Sequence, residues 1–278
     1  MKLKKQLKRN TLYTVNKVLL KTAGIQIQNA RGRNTPINES DKMIVSYPKS
    51  GNTWVCFLVS NLLYPDKTIN FSNVLQVIPN IYDLPLEVLR ERSGRLLKSH
   101  EYFDPRYKRV IYVVRDPRSV AVSYYHFLVR RKEISLESEF SNFLVNFLEG
   151  RYNAYGSWQE NVGSWLGAIE NDNEKFLIIK YEDLLETPVE NLRFIADFLS
   201  IRYNQQSLTN AVSSSSFDNM KQIEQNEQDS HVNFKDKDHS IPFVRRGESE
   251  EWKRFFTNKD LDNLYNYCGK QMEMLNYE

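Results

Sequence analysis

The sequence predicts an α/β fold, a single domain built on a central, mainly parallel β-sheet with helices on both faces and a P-loop-like phosphate-binding loop. Short apolar runs rich in β-branched residues alternate with longer segments of helical period, which is the pattern of parallel strands joined by helical connections. No linker rich in proline, glycine or serine divides the 278 residues, and a chain of this length can bury a core without disulfides. We therefore expect one domain over residues 39–278, preceded by a basic, partly helical arm over residues 1–38.

The individual elements follow from the spacing of the apolar residues. Four short runs rich in Val, Ile and Leu have the composition of buried parallel strands. These predicted strands are 43–45, 96–97, 110–114 and 176–179. The segments of helical period are 54–63, 120–129, 140–148, 158–169 and 189–199. The polar stretch 222–240 has few apolar residues and is predicted to form a long mobile loop.

Charge is distributed unevenly along the chain. Residues 1–33 carry nine basic side chains and no acidic one. Removing these nine from the 38 basic residues leaves 29 against 35 acidic ones, a formal charge of −6, which argues against nucleic acid as a partner of the main domain. The basic arm, with its interleaved Leu and Val residues, is predicted either to make a peripheral contact with an anionic membrane or to form a solvated, frayed helix.

Other features of the composition limit the compartment and the cofactors. No apolar run approaches the roughly 18 residues that a membrane span needs, and the N-terminus lacks the apolar core of a secretory signal. Cys56, Cys268 and the four histidines do not have the spacing of metal ligands. We therefore expect a cytoplasmic protein that uses no metal.

The most informative segment is 47–54, Tyr-Pro-Lys-Ser-Gly-Asn-Thr-Trp, which follows the first predicted strand and opens the first helix. A tight loop in this position directs backbone N–H groups and the positive end of the helix toward an anion. Lys49 supplies a positive charge, and Gly51 lets the backbone approach the ligand closely. The hydroxyl donors of the segment are Ser50 and Thr53. Asn52 stands where the usual nucleoside-triphosphate loop has its lysine, so the segment predicts a phosphate site and disfavours an ordinary ATPase or kinase.

A second candidate site follows the third predicted strand. Arg115 lies just past the carboxyl end of that strand, where open α/β sheets bind their ligands. Asp116 and Pro117 are typical of the start of a helix, and Ser123 lies two turns beyond Asp116 on the same face. The Arg115 guanidinium and the Ser123 hydroxyl are therefore expected to converge, with the guanidinium offering a fork of donors to a phosphate.

Two further motifs complete the pattern. Leu97-Lys98-Ser99-His100 ends the second predicted strand, and Arg245-Arg246-Gly247 precedes an acidic stretch and Trp252. Together with the loop and the Arg115 segment, these motifs resemble, in the same order, those of the cytosolic-type sulfotransferases, which transfer a sulfuryl group from 3′-phosphoadenosine 5′-phosphosulfate. The resemblance spans roughly residues 42–275 and implies a sulfotransferase domain.

The resemblance also implies how the donor is bound, and that 3′-phosphoadenosine 5′-phosphate is the product. The implied 5′-phosphosulfate loop consists of Lys49, Ser50, Gly51, Asn52 and Thr53. The implied 3′-phosphate site consists of Arg115, Ser123, Arg245, Arg246 and Gly247. The adenine is expected to lie against Trp54, Tyr181, Ser215 and Phe217. Glu250 and Glu251 depart from the family's glycine and aspartate, which leaves the conformation of the chain beyond Gly247 open.

The resemblance of Lys98-Ser99-His100 to the family's Lys-Thr-His implies that His100 is the general base. Lys49 and Lys98 would then stabilise negative charge on the transferring group. The acceptor is expected to be a hydroxyl, or an amine, of a small molecule, a lipid or a glycan, and the oligomeric state stays open. Two alternatives remain, a P-loop small-molecule kinase, which would need a lysine at position 52, and a non-catalytic nucleotide-binding module.

Overall fold

The computed structural model describes residues 35–82, 94–169, 174–229, 231, 234, 237–245 and 250–277. The predicted basic arm lies almost entirely outside these residues, as do Arg246 and Gly247. All four predicted strands are confirmed, as β1 (Lys42–Ser46), β2 (Leu96–Ser99), β3 (Arg109–Val114) and β4 (Phe176–Lys180). They form a sheet of order β2-β1-β3-β4 in which every neighbouring pair is parallel.

The helices surround this sheet. They are α1 (Asn52–Leu63), α2 (Phe71–Val77), α3 (Pro117–Arg130), α4 (Phe140–Leu148), α5 (Trp158–Ile169), α6 (Tyr181–Glu186), α7 (Pro188–Leu199), α8 (Gln205–Ser214), α9 (Phe217–Glu227) and α10 (Asn258–Met274), with a short 3-10 helix at Glu251–Arg254. The five predicted helices are confirmed as α1, α3, α4, α5 and α7. None of the helices in the described ranges is long and apolar enough to cross a membrane.

The strands alternate their side chains between two cores, one on each face of the sheet. Met43 and Val45 of β1 belong to a core completed by α3, α4, α5 and α10, whereas Ile44 belongs to a core completed by α1, α7 and α8. Successive residues of a strand point to opposite faces, so a sheet covered on both faces needs an apolar residue at every position. This requirement explains the uninterrupted apolar runs and confirms the predicted fold class.

The prediction of a long mobile loop over residues 222–240 is wrong for residues 222–227, which belong to helix α9. Helix α9 continues to Glu227 because Phe217, Met220 and Ile223, spaced three residues apart, turn one face toward the core. The Ser216 side chain caps its first turn by accepting from the N–H of Asn219. Farther along, His231 is buried against the rings of Phe71 and Phe234 rather than lying in a polar loop.

Candidate active site

Four of the segments singled out from the sequence follow the carboxyl ends of the four strands. Because the four strands are parallel, their carboxyl ends meet at the same edge. The loop 47–51 follows β1, His100 follows β2, Arg115 follows β3 and Tyr181 follows β4. The parallel topology therefore gathers four segments that are as far as 134 positions apart in the chain.

The loop between β1 and α1 has a positive φ angle at two positions. Lys49 has a φ of 71° and Gly51, which precedes the first residue of α1, has a φ of 100°. A Cβ atom at Gly51 would lie 2.6 Å from Cδ2 of the buried Tyr181 ring, so glycine is required both for the backbone angle and for the close approach. The Ser50 hydroxyl is buried and has no hydrogen-bond partner among the described residues. A buried donor of this kind is suited to a phosphate oxygen.

The Lys49 side chain is enclosed by aromatic rings. Its Nζ lies 4.4 Å from the centroid of the Phe127 ring and 4.6 Å from that of Phe243. Burial lowers the pKa of Lys49 to about 7, with contributions from the positive charges of Arg245 and Arg115. Burial and the neighbouring cations both disfavour the ammonium form, whereas a bound anion would favour it.

Thr53 and Asn52 occupy different positions relative to the loop. Lys98 Nζ donates to the Thr53 hydroxyl at 3.4 Å, which places the β2 lysine beside the start of α1. The Asn52 amide donates to the carbonyl oxygens of Ile44 and Ser99 at 3.3 Å each, and so joins β1 to β2 beneath the loop. The Asn52 side chain thus serves the scaffold, and only its backbone N–H remains available to a ligand.

His100 is held in one orientation by its neighbours. Its Nδ1 lies 2.8 Å from the carbonyl oxygen of Ser46, which can only accept, so Nδ1 carries the proton and Nε2 keeps its lone pair. The His100 backbone N–H donates to the Tyr82 hydroxyl at 3.0 Å, and its carbonyl accepts from the Asn161 amide at 3.1 Å. Burial, and then the charge of Lys98, lower the pKa of His100 to about 3, so the imidazole is neutral and able to accept a proton at Nε2.

Two guanidinium groups flank the loop on its other side. The Arg115 guanidinium lies over the Tyr181 ring, 4.1 Å from its centroid, and its buried Nε has no hydrogen-bond partner among the described residues. Arg245 donates to the carbonyl of Val122 at 3.4 Å and forms an ion pair with Glu251. The Val122 carbonyl directly precedes the half-buried Ser123 on α3. Arg115, Arg245 and the Ser123 backbone are therefore brought to one region.

Aromatic side chains form a separate surface next to the loop. The Trp54 ring lies 5.6 Å from that of Tyr181 and 5.3 Å from that of Phe217, centroid to centroid. The Trp54 indole N–H donates to the carbonyl of Ser215 at 2.9 Å, while the buried Ser215 hydroxyl accepts from the Asn61 amide at 3.0 Å. Ser215 consequently positions Trp54, and the three rings present the flat apolar contacts that a purine base needs.

Several residues that orient the site were not identified from the sequence. Ser46, Tyr82 and Asn161 hold His100, and Phe127 and Phe243 enclose Lys49. Of these residues, Ser46 alone could have been recognised from the sequence, because it is a polar residue that closes an otherwise apolar strand. The others act through contacts between distant segments and leave no local pattern. In the described ranges no group of three or more His, Cys, Asp or Glu side chains could hold a metal ion.

Comparison with known proteins identifies the family. A model of the sulfotransferase domain matches residues 39–276. Sulfotransferase 1B1 of Mus musculus is 31% identical over 256 residues, which are 84% of this chain and 82% of the mouse protein. Flavonol 3-sulfotransferase of Flaveria bidentis is 26% identical over 250 residues, 81% of this chain and 79% of the plant protein. The crystal structure of mouse sulfotransferase SULT7A1 complexed with PAP has a TM-score of 0.67 at 25% identity and covers 86% of each chain.

The chain therefore belongs to the sulfotransferase family, and the prediction of an enzyme that transfers a sulfuryl group is confirmed. The predicted co-substrate agrees with the SULT7A1 structure, which contains PAP, the product form of the donor. The kinase and the non-catalytic module are not favoured. The family implies a small-molecule acceptor.

Proposed function

We propose that this sulfotransferase transfers the sulfuryl group of 3′-phosphoadenosine 5′-phosphosulfate to a hydroxyl group of a small molecule, with His100 as the general base. The observation that carries the proposal is the concentration of positive charge around the loop 47–51. Burial, and then the charges of Arg245 and Arg115, lower the pKa of Lys49, and two buried donors, Ser50 Oγ and Arg115 Nε, have no hydrogen-bond partner among the described residues. Such a cluster is suited to a polyanionic ligand.

The described residues fit the parts of this donor. Lys49, Ser50 and the N–H groups at the start of α1 would bind the 5′-phosphosulfate, in the position that favours an anion. Arg115, Ser123 and Arg245 would bind the 3′-phosphate, with Arg246 and Gly247 as further predicted contacts. Trp54, Tyr181 and Phe217 would enclose the adenine, with the Ser215 carbonyl fixing the indole. When bound, the donor supplies the sulfuryl group and the phosphate oxygen that keeps the electron pair of the broken S–O bond.

The residues around His100 support its role in proton transfer. The acceptor oxygen forms the new bond to sulfur, and its proton passes to His100 Nε2, the ring nitrogen that the Ser46 contact leaves unprotonated. Lys98 lies beside Thr53 at the start of α1. Lys98 and Lys49 would stabilise negative charge on the sulfuryl oxygens and on the leaving oxygen. A neutral imidazole at physiological pH is the state that this step requires.

A hydroxyl group is favoured over an amine as the acceptor. An aliphatic amine is protonated at neutral pH and has no lone pair for attack until it loses that proton, whereas a hydroxyl group keeps its lone pairs. The ring of Tyr155 lies 5.5 Å from that of His100, centroid to centroid, so an aromatic side chain borders the proposed base. Hydroxyl groups of lipids and glycans are the alternatives to a small-molecule acceptor, and an acceptor screen with labelled donor would test them.

The donor assignment is tested by calorimetry with the product 3′-phosphoadenosine 5′-phosphate and with 5′-AMP. We expect the bisphosphate to bind far more tightly, since only it can use the 3′-phosphate site. Arg115→Ala should weaken its binding by about 1.5–3 kcal/mol, the value of a charge-assisted hydrogen bond. The control is Arg193→Ala, at an exposed arginine of α7, which should bind as the wild type does. Equal affinities of the wild type for the two nucleotides would overturn the proposal.

The remaining expectations concern the surroundings of the protein. We propose a cytoplasmic location, which is supported by the two cysteines, both buried and free as thiols. Peripheral membrane contact through residues 1–33 stays a prediction from the charge of that segment. The boundaries 1–38 and 39–278 also stay predictions.

A further inference from the structure

The chain that leads to Arg245 is fixed by one buried carboxylate. Glu224 of α9 accepts from the backbone N–H of Phe243 at 2.7 Å and from that of Val244 at 2.8 Å. These two residues directly precede Arg245. The Glu224 carboxylate therefore determines where the backbone enters the predicted 3′-phosphate site.

Arg130, the last residue of α3, is the cationic partner of this carboxylate. Its Nη1 donates to Glu224 Oε1 and to the carbonyl of Ile241, both at 2.7 Å, and its own carbonyl accepts from the N–H of Asp238 at 2.9 Å. The two charged side chains are buried, with exposed fractions of 2% for Arg130 and 8% for Glu224. A buried charge needs an ion pair and hydrogen bonds, and Arg130 obtains them through Nη1, whereas its Nε and Nη2 have no hydrogen-bond partner among the described residues. The bonds of Nη1 and of the Glu224 carboxylate hold the segment 238–244.

The three parts that the pair joins all contribute to the proposed donor site. Helix α3 carries Ser123, helix α9 begins with Phe217, and the segment 237–245 carries Phe243 against Lys49 and ends at Arg245. We infer that Glu224, supported by Arg130, is a positioning residue that sets the selectivity for a 3′-phosphate by fixing the backbone before Arg245. This inference rests on the proposed function, because it assigns a role within the same donor site.

Loss of the Glu224 carboxylate would affect the part of the proposed donor site that binds the 3′-phosphate. Without it, the N–H groups of Phe243 and Val244 lose their acceptor, and the Arg130 guanidinium is left buried without its counter-ion. The segment must then move, and the Arg245 guanidinium moves with it. The backbone of the 5′-phosphate loop 47–51 is held by β1 and α1, which Glu224 does not contact through its described hydrogen bonds. A displaced Phe243 would loosen one contact of Lys49, but Lys49 keeps its contact with the Phe127 ring. The penalty should therefore fall on the 3′-phosphate.

The test is Glu224→Gln, which keeps the size of the side chain, removes its charge and replaces one of its two acceptor oxygens by an NH₂ donor that faces another donor. The matched control is Glu227→Gln on the same helix, since Glu227 also accepts from two backbone N–H groups, those of Phe71 and Ser72, but at the start of α2. Dissociation constants for 3′-phosphoadenosine 5′-phosphate and for 5′-AMP are measured by calorimetry. We expect Glu224→Gln to lower the preference for the bisphosphate over 5′-AMP, the ratio of the two dissociation constants, about tenfold or more. Its affinity for 5′-AMP should stay within about threefold of wild type. Glu227→Gln should keep the wild-type preference. An unchanged preference in a folded Glu224→Gln protein would overturn the inference.

A second variant covers the case in which Glu224→Gln does not fold. In Arg130→Met/Glu224→Leu the buried pair is replaced by apolar side chains, an exchange that proteins often tolerate. The folded double variant should still show the reduced preference, because its segment has no acceptor for the N–H groups at 243 and 244. A wild-type preference in this variant would overturn the positioning role. The wild-type protein distinguishes a failure of the donor assignment from a failure of the positioning role of Glu224. A wild-type protein that does not prefer the bisphosphate over 5′-AMP would contradict the donor assignment itself.

Discussion

His100 is constrained at its ring and at both of its backbone polar groups, which is the arrangement expected of a residue that must present one nitrogen to a substrate. We predict that His100→Asn lowers kcat by about 10²–10⁴, because the acceptor hydroxyl then loses its base. The affinity for 3′-phosphoadenosine 5′-phosphate should hardly change. Turnover of labelled donor and calorimetry measure the two quantities, with His239→Asn at an exposed histidine as the control. A His100→Asn protein with kcat within threefold of wild type, about 0.7 kcal/mol in the barrier, would remove His100 from the mechanism.

If His100 is the base, its environment should also set the acid limit of the reaction. An unperturbed imidazole would gain its proton near pH 6.5, whereas burial and Lys98 lower the pKa of His100 to about 3. We therefore predict that protonation of His100 in the free enzyme lowers kcat/KM for the donor only near pH 3, far below the value expected from the residue type alone.

Lys49 should change its protonation state when the donor site is filled. Its pKa is about 7 in the structure, and phosphate oxygens beside the ammonium group would raise it toward the ordinary 10.5. Between these two values the free protein has the neutral amine and the complex has the ammonium, so binding of 3′-phosphoadenosine 5′-phosphate should take up close to one proton near pH 8.5, and affinity should fall as the pH rises. Calorimetry in two buffers of different ionisation enthalpy measures the uptake.

Two variants test the assignment of this proton to Lys49. Lys49→Met should abolish the uptake and lower kcat more than donor affinity, since the charge is needed most as the leaving oxygen becomes negative. Lys221→Met, at an exposed lysine of α9, should keep the uptake. Uptake of a full proton by the Lys49→Met protein would assign it to another group.

The loop between β1 and α1 is the element on which the donor site depends most. Alanine at position 51 would have to adopt a φ of 100° and would place its Cβ 2.6 Å from the Tyr181 ring. That ring is itself fixed between Trp54 and Arg115. We predict that Gly51→Ala lowers the free energy of unfolding by about 1–3 kcal/mol and weakens bisphosphate binding at least tenfold.

Denaturant unfolding and calorimetry measure these two effects. Gly167→Ala is the control, because Gly167 lies inside α5 and its added Cβ would meet no atom within 4 Å. Alanine is the better helix former, so this variant should be as stable as wild type or up to about 1 kcal/mol more stable. Tight bisphosphate binding by Gly51→Ala would show that the loop does not need its positive φ.

At the scale of elements, the sequence predicted what depends on short-range pattern. The apolar runs gave all four strands, and the predicted order of strand, loop and helix around residues 47–51 is confirmed, whereas the phosphate-binding role of that loop stays a prediction. Asp116 and Pro117 predicted the start of α3, which the structure confirms with an Asp116 side chain that accepts from the N–H of Arg118. Helix α9 was not predicted, because Gln, Asn and Glu are five of the six residues 222–227 and this polar composition outweighed the spacing of Met220 and Ile223.

At the scale of the whole molecule, the unpredicted part consists of contacts between distant positions. Glu224 meets Arg130 across 94 residues of sequence, and Asn161 reaches the His100 carbonyl across 61. No local period or motif encodes such pairs, because they depend on how completed elements pack. The parallel sheet could be predicted, and with it the edge where the site lies, whereas the residues that orient Lys49, His100 and Arg245 could not.

The same packing makes donor binding a property of the whole fold. A ligand that contacts both the loop 47–51 and the segment ending at Arg245 connects two segments that lie far apart in the sequence. A ligand at 100 times its dissociation constant stabilises the native state by about 2.7 kcal/mol. For a domain of this size, the melting temperature should rise by about 5–10 °C. Since Lys49, Lys98, Arg115 and Arg245 supply the positive charge, we predict that this shift and the turnover both persist in excess chelator. Scanning calorimetry and a labelled-donor assay with and without EDTA measure them, and activity that disappears with EDTA and returns with magnesium would contradict the role assigned to these cations.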